Sequence, residues 1–183
     1  MSAAGAIAPQ LVLFGGPAGA GKSTLATAWC ATRPLATHLQ LDHVRELIVS
    51  GRADPQQAGP QQTEQFALAV RGCCALARVF LAGGYDVAID DVLEPHAWDN
   101  VWLPALADLQ PQIVIVLPSL AETLRRSRGR AKRVQEGHTR AQHAASLAWP
   151  ADRRIDTSSL DVPASLDLVQ ALLERQSRNP GGG

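Results

Sequence analysis

Residues 11–24 read LVLFGGPAGAGKST and decide the expected fold. From Gly16 to Ser23 they fill the pattern G-x-x-x-x-G-K-[ST] of a phosphate-binding P-loop, between a strand-like apolar run and a helix-compatible run. Glycines let a backbone fold around an anion, so that successive N–H groups and the helix N-terminus converge on it. A glycine-rich turn before a helix is the simpler alternative. The strand–loop–helix context favours nucleotide binding.

The residues of this loop have predicted roles in binding a nucleotide and its metal ion. Lys22 is expected to place its charge against the β- and γ-phosphates of a nucleotide, and the Ser23 hydroxyl to ligate Mg²⁺. ATP and Mg²⁺ are therefore the predicted cofactors, although the motif does not distinguish ATP from GTP. The predicted nucleotide contacts of the loop are Gly16, Pro17, Ala18, Gly19, Ala20, Gly21, Lys22, Ser23 and Thr24.

The composition is that of an ordinary globular domain. Of the 183 residues, 46% are hydrophobic and 19% are charged, which is enough to bury a core. The 17 basic and 17 acidic residues cancel, so no overall charge favours nucleic acid or an anionic membrane. We predict one domain over residues 1–178 and a disordered tail over 179–183. We find no apolar run of membrane-spanning length and no signal-peptide pattern, and expect a cytoplasmic protein.

Short β-like runs alternate with longer helical stretches, which is typical of an α/β protein with a parallel sheet and helices on both faces. The predicted strands are 11–14, 38–41, 86–90, 113–117 and 154–156. The predicted helices are 21–31, 43–49, 61–81, 96–106, 120–135, about 139–148 and 164–175. The breaker-rich segment 51–60 is either a substrate loop or a plain surface connection.

A carboxylate follows the second predicted strand. Ligands of open parallel sheets bind at the carboxyl ends of strands, so Asp42 is placed to accept a proton from an attacking hydroxyl. Arg45, about one helical turn further on, is expected to face the same substrate. Asp is also a favoured N-cap, and that structural role is compatible with the catalytic one.

Two adjacent acids end the third predicted strand. Asp90 resembles the acidic residue that helps to hold Mg²⁺ opposite a P-loop serine, here through water. Asp91 is a candidate contact for the acceptor. Acids at strand ends are also common as turn formers and caps.

The strongly charged segment of the chain is LRRSRGRAKR, residues 124–133, which has six basic residues between 125 and 133. Upstream, Ser119 and Glu122 have the spacing of a capping box, which predicts that a helix begins there.

On a helix continued to residue 135, Arg126, Arg130 and Arg133 would form a one-sided stripe. We interpret residues 119–137 as a lid whose arginines reach the γ-phosphate of a bound nucleotide. A solvated face or a nucleic-acid patch is the alternative.

Two further sequence features, the turn at Thr157 and a pair of tryptophans, can also be explained by structural roles. Thr157 follows the fifth predicted strand in an Asp-Thr-Ser turn, where it either contacts the nucleotide or only forms the turn. Trp98 and Trp102 lie four residues apart on a predicted helix and are interpreted as a packing pair in preference to a substrate stack.

Together, these segments resemble the small P-loop kinases from residue 11 to about residue 173, most closely the chloramphenicol phosphotransferase group, with polynucleotide kinases and zeta toxins as wider relatives. The matching features, in chain order, are the P-loop, Asp42 with Arg45, the strand-three motif at 87–92, the arginine lid and the turn at 156–158. The resemblance implies a five-stranded parallel sheet in the order 2-3-1-4-5. It also implies Asp42 as general base and Lys22 and the lid arginines as phosphate clamps.

The sequence therefore predicts an ATP- and Mg²⁺-dependent kinase that phosphorylates a hydroxyl of a small molecule, such as an antibiotic or a metabolite. A polynucleotide or nucleoside 5′-hydroxyl kinase is one alternative, and the neutral charge argues against it. A non-catalytic ATP-binding switch is another. The predicted catalytic residues are Lys22, Asp42, Arg45, Arg126 and Arg130.

Overall fold

A computed structural model describes residues 8–55, 57–129 and 134–178. Its five strands are β1 (Leu11–Gly15), β2 (Ala36–Gln40), β3 (Asp86–Asp90), β4 (Gln112–Val116) and β5 (Arg154–Ile155). They form one parallel sheet in the order β2-β3-β1-β4-β5. The predicted α/β class and strand order are confirmed.

Helices connect and cover the strands. They are α1 (Lys22–Ala31), α2 (Leu41–Glu46), α3 (Pro60–Ala82), α4 (Pro95–Ala97), α5 (Leu103–Ala105), α6 (Leu120–Arg128), α7 (Glu136–Ser146) and α8 (Val162–Arg178). A π-helical turn at Trp98–Trp102 joins α4 to α5, and a 3₁₀ turn at Ala151–Arg153 precedes β5.

The sheet is buried on both faces, which explains the nearly continuous apolar runs in its central strands. Successive side chains of a strand point to opposite faces. On one face Leu13 and Ile89 pack with α3 and Trp102, and on the other Phe14 and Ala88 pack with α1 and α8. The same alternation directs the side chains of Asp90, the last residue of β3, and of Asp91, the next residue, to opposite faces of the sheet.

The prediction of one helix over 120–135 is wrong. Helix α6 ends at Arg128 with Gly129 as its C-cap, and α7 begins at Glu136. Glycine has a low helix propensity, and here it outweighs the regular spacing of the arginines. The arginine stripe therefore does not continue on one helix from Arg126, and Arg130 and Arg133 lie outside the described residues.

Two other boundaries differ from the sequence-based expectation. Strand β2 begins at Ala36 and stops before Leu41, which is already helical. The predicted helix 96–106 consists of three short pieces with a π-helical turn at its centre. Pro104 has no N–H to continue a regular ladder of hydrogen bonds, which favours this irregularity.

Helix α3 is an apolar run of membrane-spanning length, so the sequence-based statement that the chain has no such run is wrong. It has 23 residues and an 18-residue window of mean hydropathy 1.5, so by length and composition alone it could cross a membrane. In the fold one face of α3 packs on β2, β3 and α2, and 28% of that window is buried. Cys73 and Cys74 lie on its buried face, where burial raises the pKa of their thiols to about 12 and about 11.

Candidate nucleotide-binding and phosphotransfer site

The P-loop between β1 and α1 has a backbone that only glycine fits. Gly16, Gly19 and Gly21 have φ angles of 131°, 87° and 100°, in the region that L side chains rarely adopt. A Cβ at Gly16 would lie 2.2 Å from the Val116 carbonyl oxygen, and one at Gly19 would lie 2.7 Å from that of Thr123. The glycines are therefore required by the conformation and by the close approach of β4 and α6.

The N-terminus of α1 has the character of an anion site. Gly21 is the N-cap and supplies no side-chain hydrogen bond to the first turn. Unpaired N–H groups and the helix dipole favour a negative group at such a position. Lys22 is folded back, and its Nζ donates to the Pro17 carbonyl oxygen over 3.0 Å. The glycine cradle, the helix N-terminus and the lysine together fit a polyphosphate chain.

Asp90 lies beside the P-loop serine. Its carboxylate is buried on the α1 face of the sheet, where the side chains of His38 and Ser23 contact it. Burial alone would raise the pKa of Asp90, but these two contacts and the charge of Lys22 outweigh it and lower the pKa. A hydroxyl and an ionised carboxylate are oxygen ligands of the kind that Mg²⁺ prefers. The pair therefore fits the predicted metal.

Asp91 points to the opposite face of the sheet. Its Oδ2 accepts a hydrogen bond from Trp102 Nε1 over 3.2 Å. Burial raises the pKa of Asp91; hydrogen bonds from the Val92 backbone and Trp102 and the Lys22 charge lower it, and the Asp42 charge raises it. Asp91 is thus within electrostatic range of both Lys22 and Asp42. The side chains of Asp90 and Asp91 therefore have different surroundings.

Asp42 is the second residue of α2 and is exposed. The N-cap of that helix is Gln40, so the alternative in which Asp42 is the cap does not describe the fold. The exposure leaves its carboxylate accessible to a molecule arriving from solvent. Arg45 lies in the last turn of the same short helix and is half-buried.

A strained residue fixes the chain that follows β3. Leu93 has φ +52° although it is not glycine, and it is buried. Its carbonyl accepts from Trp149 Nε1 over 2.8 Å, and the preceding Val92 carbonyl accepts from the Gly16 N–H over 3.0 Å. Strain of this kind persists only where the surroundings impose it, and it clusters at functional sites. The hydrogen bond between Gly16 and Val92 joins the residue after Asp91 directly to the P-loop.

Arg126 and Thr157, predicted separately, lie together at the P-loop. The Arg126 guanidinium donates to the Thr157 carbonyl over 2.8 Å, and to the Ala20 carbonyl and the Thr157 hydroxyl over 3.4 Å. Glu122 holds the other side of this guanidinium. The backbone N–H of Glu122 donates to Ser119 Oγ over 3.3 Å, as the capping box predicts.

The segment 51–60 is fastened to the first turns of α3. Gln61 and Gln65 donate to the Gly51 carbonyl over 2.9 and 2.8 Å, and the Ala53 N–H donates to Gln65 over 2.8 Å. These bonds favour the surface connection over the substrate loop.

Sequence reasoning missed three residues that the fold brings to the site. Gln142 on α7 accepts from the Ala18 N–H of the P-loop over 3.0 Å. His38 on β2 lies against Asp90, and Trp102 holds Asp91. Only strand alternation could have hinted at His38. The Gln142 contact joins segments 124 residues apart, and the Trp102 contact depends on the irregular turn that follows β3.

Comparisons with known proteins agree with this fold. A family model described as an AAA domain matches residues 11–151. A search of curated proteins found no significant match. Among solved structures, the tunicamycin resistance protein of Deinococcus radiodurans has 16% identity and a TM-score of 0.68, covering 90% of this chain and 95% of that one. A sugar kinase from Janibacter sp. HTCC2649 has 15% identity and a TM-score of 0.68, with coverages of 91% and 95%.

A chain of the Pnkp1/Rnl/Hen1 RNA repair complex has 18% identity and a TM-score of 0.58, over 76% of this chain and 44% of that one. At such identities the likeness establishes the fold. The family model, however, spans most of the chain, including the P-loop and the arginine-bearing helix α6. The chain therefore belongs to the AAA domain family and has the fold of the small P-loop kinases.

Proposed function

We propose that this protein is a kinase that transfers the γ-phosphoryl group of ATP, with Mg²⁺, to a hydroxyl of a small molecule. The observation that carries this proposal is the convergence of two kinds of group on one P-loop. Ser23 and Asp90 form a pair suited to a metal ion on one face of the sheet, while Asp91 lies within electrostatic range of both Lys22 and Asp42. A protein that only bound nucleotide would not need the second pair of acids.

On the donor side, the loop amides and Lys22 would hold the phosphates, with Ser23 and Asp90 as ligands of Mg²⁺. The bound metal would neutralise charge on the phosphate oxygens. Arg126, held between Glu122 and Thr157, would add positive charge beside the loop. We assign Arg130 and Arg133 the same role in the lid, and Thr157 a nucleotide contact.

On the acceptor side, Asp42 would accept the proton of the attacking hydroxyl. Its exposure at the start of α2 suits a base that must meet a substrate from solvent. Arg45 and Asp91 would hold the acceptor. Because burial raises the pKa of Asp91, the protonated form of this acid is favoured, and in that form it would donate a hydrogen bond to the acceptor.

The test of this proposal is turnover with γ-labelled ATP and a panel of sugars, nucleosides, aminoglycosides and phenicols. Once an acceptor is found, Asp42→Ala should lower the transfer rate by about 10²–10⁴-fold, the range of general-base catalysis, with ATP affinity almost unchanged. Glu46→Gln, at the other end of the same helix, is the matched control and should transfer normally. Equal loss of ATP binding in Asp42→Ala would make this aspartate structural.

A nucleic-acid 5′-hydroxyl kinase is the second candidate. The fold similarity to a chain of the RNA repair complex and the basic cluster at 125–133 favour it, whereas the zero net charge does not. A steep fall of acceptor affinity with salt would support it, since phosphate contacts release counterions. We place either reaction in the cytoplasm, where ATP and Mg²⁺ are supplied.

A further inference from the structure

His38 joins β2 to the metal-binding pair and to α1. Its side chain is 11% exposed, so the ring lies inside the sheet–helix interface. Nδ1 is 3.0 Å from Thr27 Oγ1, and Nε2 is 3.3 Å from Asp90 Oδ2. Among the residues that the structure describes, neither Nε2 nor Oδ2 forms a hydrogen bond of regular geometry, so the 3.3 Å approach is a close polar contact that is not ideally aligned. The two buried atoms therefore lie close enough to interact, with no regular hydrogen bond from the described residues competing for either.

The strand register explains this contact. His38 pairs with Ala88, two residues before Asp90, so both side chains point to the α1 face of the sheet. On α1, Ser23 and Thr27 are four residues apart and share one helix face. The ring thus lies between Thr27 and Asp90, and the Asp90 carboxylate lies between the ring and Ser23.

The chemistry of the groups assigns the protons. An ionised carboxylate only accepts hydrogen bonds, so Nε2 must carry the hydrogen that faces Asp90. In a neutral ring Nδ1 then accepts from the Thr27 hydroxyl. Histidines beside metal ligands commonly act in this way, by fixing the orientation of the group that binds the ion.

We propose that His38 is a positioning residue for Asp90. Through Nε2 it holds the carboxylate in the orientation that serves Mg²⁺ together with Ser23, and Thr27 fixes the ring from behind. This inference rests on the proposed function, because it concerns the metal of the same site. It adds a requirement on β2, a strand to which the P-loop motif assigns no role.

Two variants that differ by one methylene test it. His38→Asn keeps a polar atom near the position of Nδ1 and Thr27 but is too short to reach Asp90. His38→Gln places its amide N–H near the position of Nε2. The measurements are Mn²⁺ binding to the ADP-loaded protein by electron paramagnetic resonance, and ADP affinity in EDTA by calorimetry. His138→Leu, an exposed histidine of α7, is the control.

We expect His38→Asn to weaken Mn²⁺ binding about 10- to 100-fold, and His38→Gln to weaken it only a few-fold. ADP affinity in EDTA should stay that of the wild type in both. Wild-type Mn²⁺ affinity in His38→Asn, or equally weak binding in both variants, overturns the inference. So does an equal loss of metal-free ADP binding, which would mean that the histidine only supports the loop. If the wild type itself bound no Mn²⁺ with ADP, the proposed function would fail, and this inference with it.

Discussion

The side-chain carbonyl of Gln142 accepts a hydrogen bond from the backbone N–H of Ala18 over 3.0 Å, across 124 residues of sequence. Ala18 is a buried residue of the P-loop, so its N–H needs a partner within the protein. Helix α6 touches the same loop at Gly19. The phosphate-binding loop therefore contacts both α6 and α7, so a displacement of either helix would disturb the loop.

Removing the acceptor of Gln142 should loosen this attachment. Gln142→Met keeps the size of the side chain but leaves the Ala18 N–H unpaired, which should lower the free energy of unfolding by about 1–3 kcal/mol. Gln142→Glu keeps an acceptor and should preserve stability, but its charge should weaken ATP binding. Urea unfolding and calorimetric ATP titration measure the two effects. Unchanged stability of Gln142→Met would contradict the role of this bond.

Glycine 19 offers a test with a closely matched control. Gly19 and Gly84 have φ angles of 87° and 84°, but a Cβ at Gly84 meets nothing within 4 Å, whereas one at Gly19 meets Thr123 O at 2.7 Å and Ser127 N at 2.8 Å. Gly84→Ala should therefore cost only the left-handed strain of about 1–2 kcal/mol. Gly19→Ala should cost more and should also abolish ATP binding.

The readouts for these two variants are thermal unfolding and ATP affinity. Equal stabilities would show that α6 moves away from the loop without cost. Normal ATP binding by Gly19→Ala would show that the loop does not need its close approach to α6. Either result would remove the basis for coupling α6 to nucleotide binding.

The ion pairs of Glu122 predict a specific dependence on pH. Hydrogen bonds from Arg125 and Arg126 lower the pKa of Glu122 from 4.5 to about 2. Because the folded state favours the ionised form, this contribution to stability is complete above the unfolded value of 4.5 and is lost as the pH falls towards 2. Glu122→Gln lacks it at every pH.

Thermal melts above and below the unfolded pKa of Glu122 should reveal the difference. The wild type should lose more stability than Glu122→Gln when the pH falls through this range. High salt should narrow the gap, since the pair is exposed to solvent. Parallel losses in the two proteins would mean that Glu122 does not order Arg126 in solution.

The local pattern of the chain predicted the elements around the P-loop because both faces of β1, β3 and β4 are buried. It also placed Asp90 and Asp91 at a strand end. It assigned the two acids different roles but did not predict their surroundings, since these depend on the tertiary contacts of His38 and Trp102. Local spacing favoured a helix through residue 135, and a single glycine, Gly129, ended it.

Other features of the site had no sequence signal. The positive φ of Leu93 follows from its contacts in the fold, and leucine does not favour that conformation. The Gln142–Ala18 bond depends on how α7 packs against the loop after the chain has formed strands β1 to β4. Such contacts are set by tertiary packing, and periodicity along the chain contains no information about them.

The hydrogen bond from Trp102 to Asp91 predicts a change that a second tryptophan controls. Trp102 and Trp29 are both fully buried. Trp102 Nε1 donates to Asp91, whereas Trp29 Nε1 has no hydrogen-bond partner within the described part of the chain. Replacing either with phenylalanine removes a similar volume, but only Trp102→Phe removes a hydrogen bond to a carboxylate.

Burial raises the pKa of Asp91, and the Trp102 N–H opposes this rise by stabilising the ionised form. Trp102→Phe should therefore raise the pKa of Asp91 further, and Trp29→Phe should leave it in place. Carbon-13 NMR titration of the aspartate carboxyl groups, with Asp91→Asn to assign the signal, measures this directly. If Asp91 takes part in transfer, one limb of the pH profile of kcat/KM should move upward by the same amount, because that profile reports groups of the free enzyme. A titration that moves without any change in the profile would mean that protonation of Asp91 does not govern the reaction.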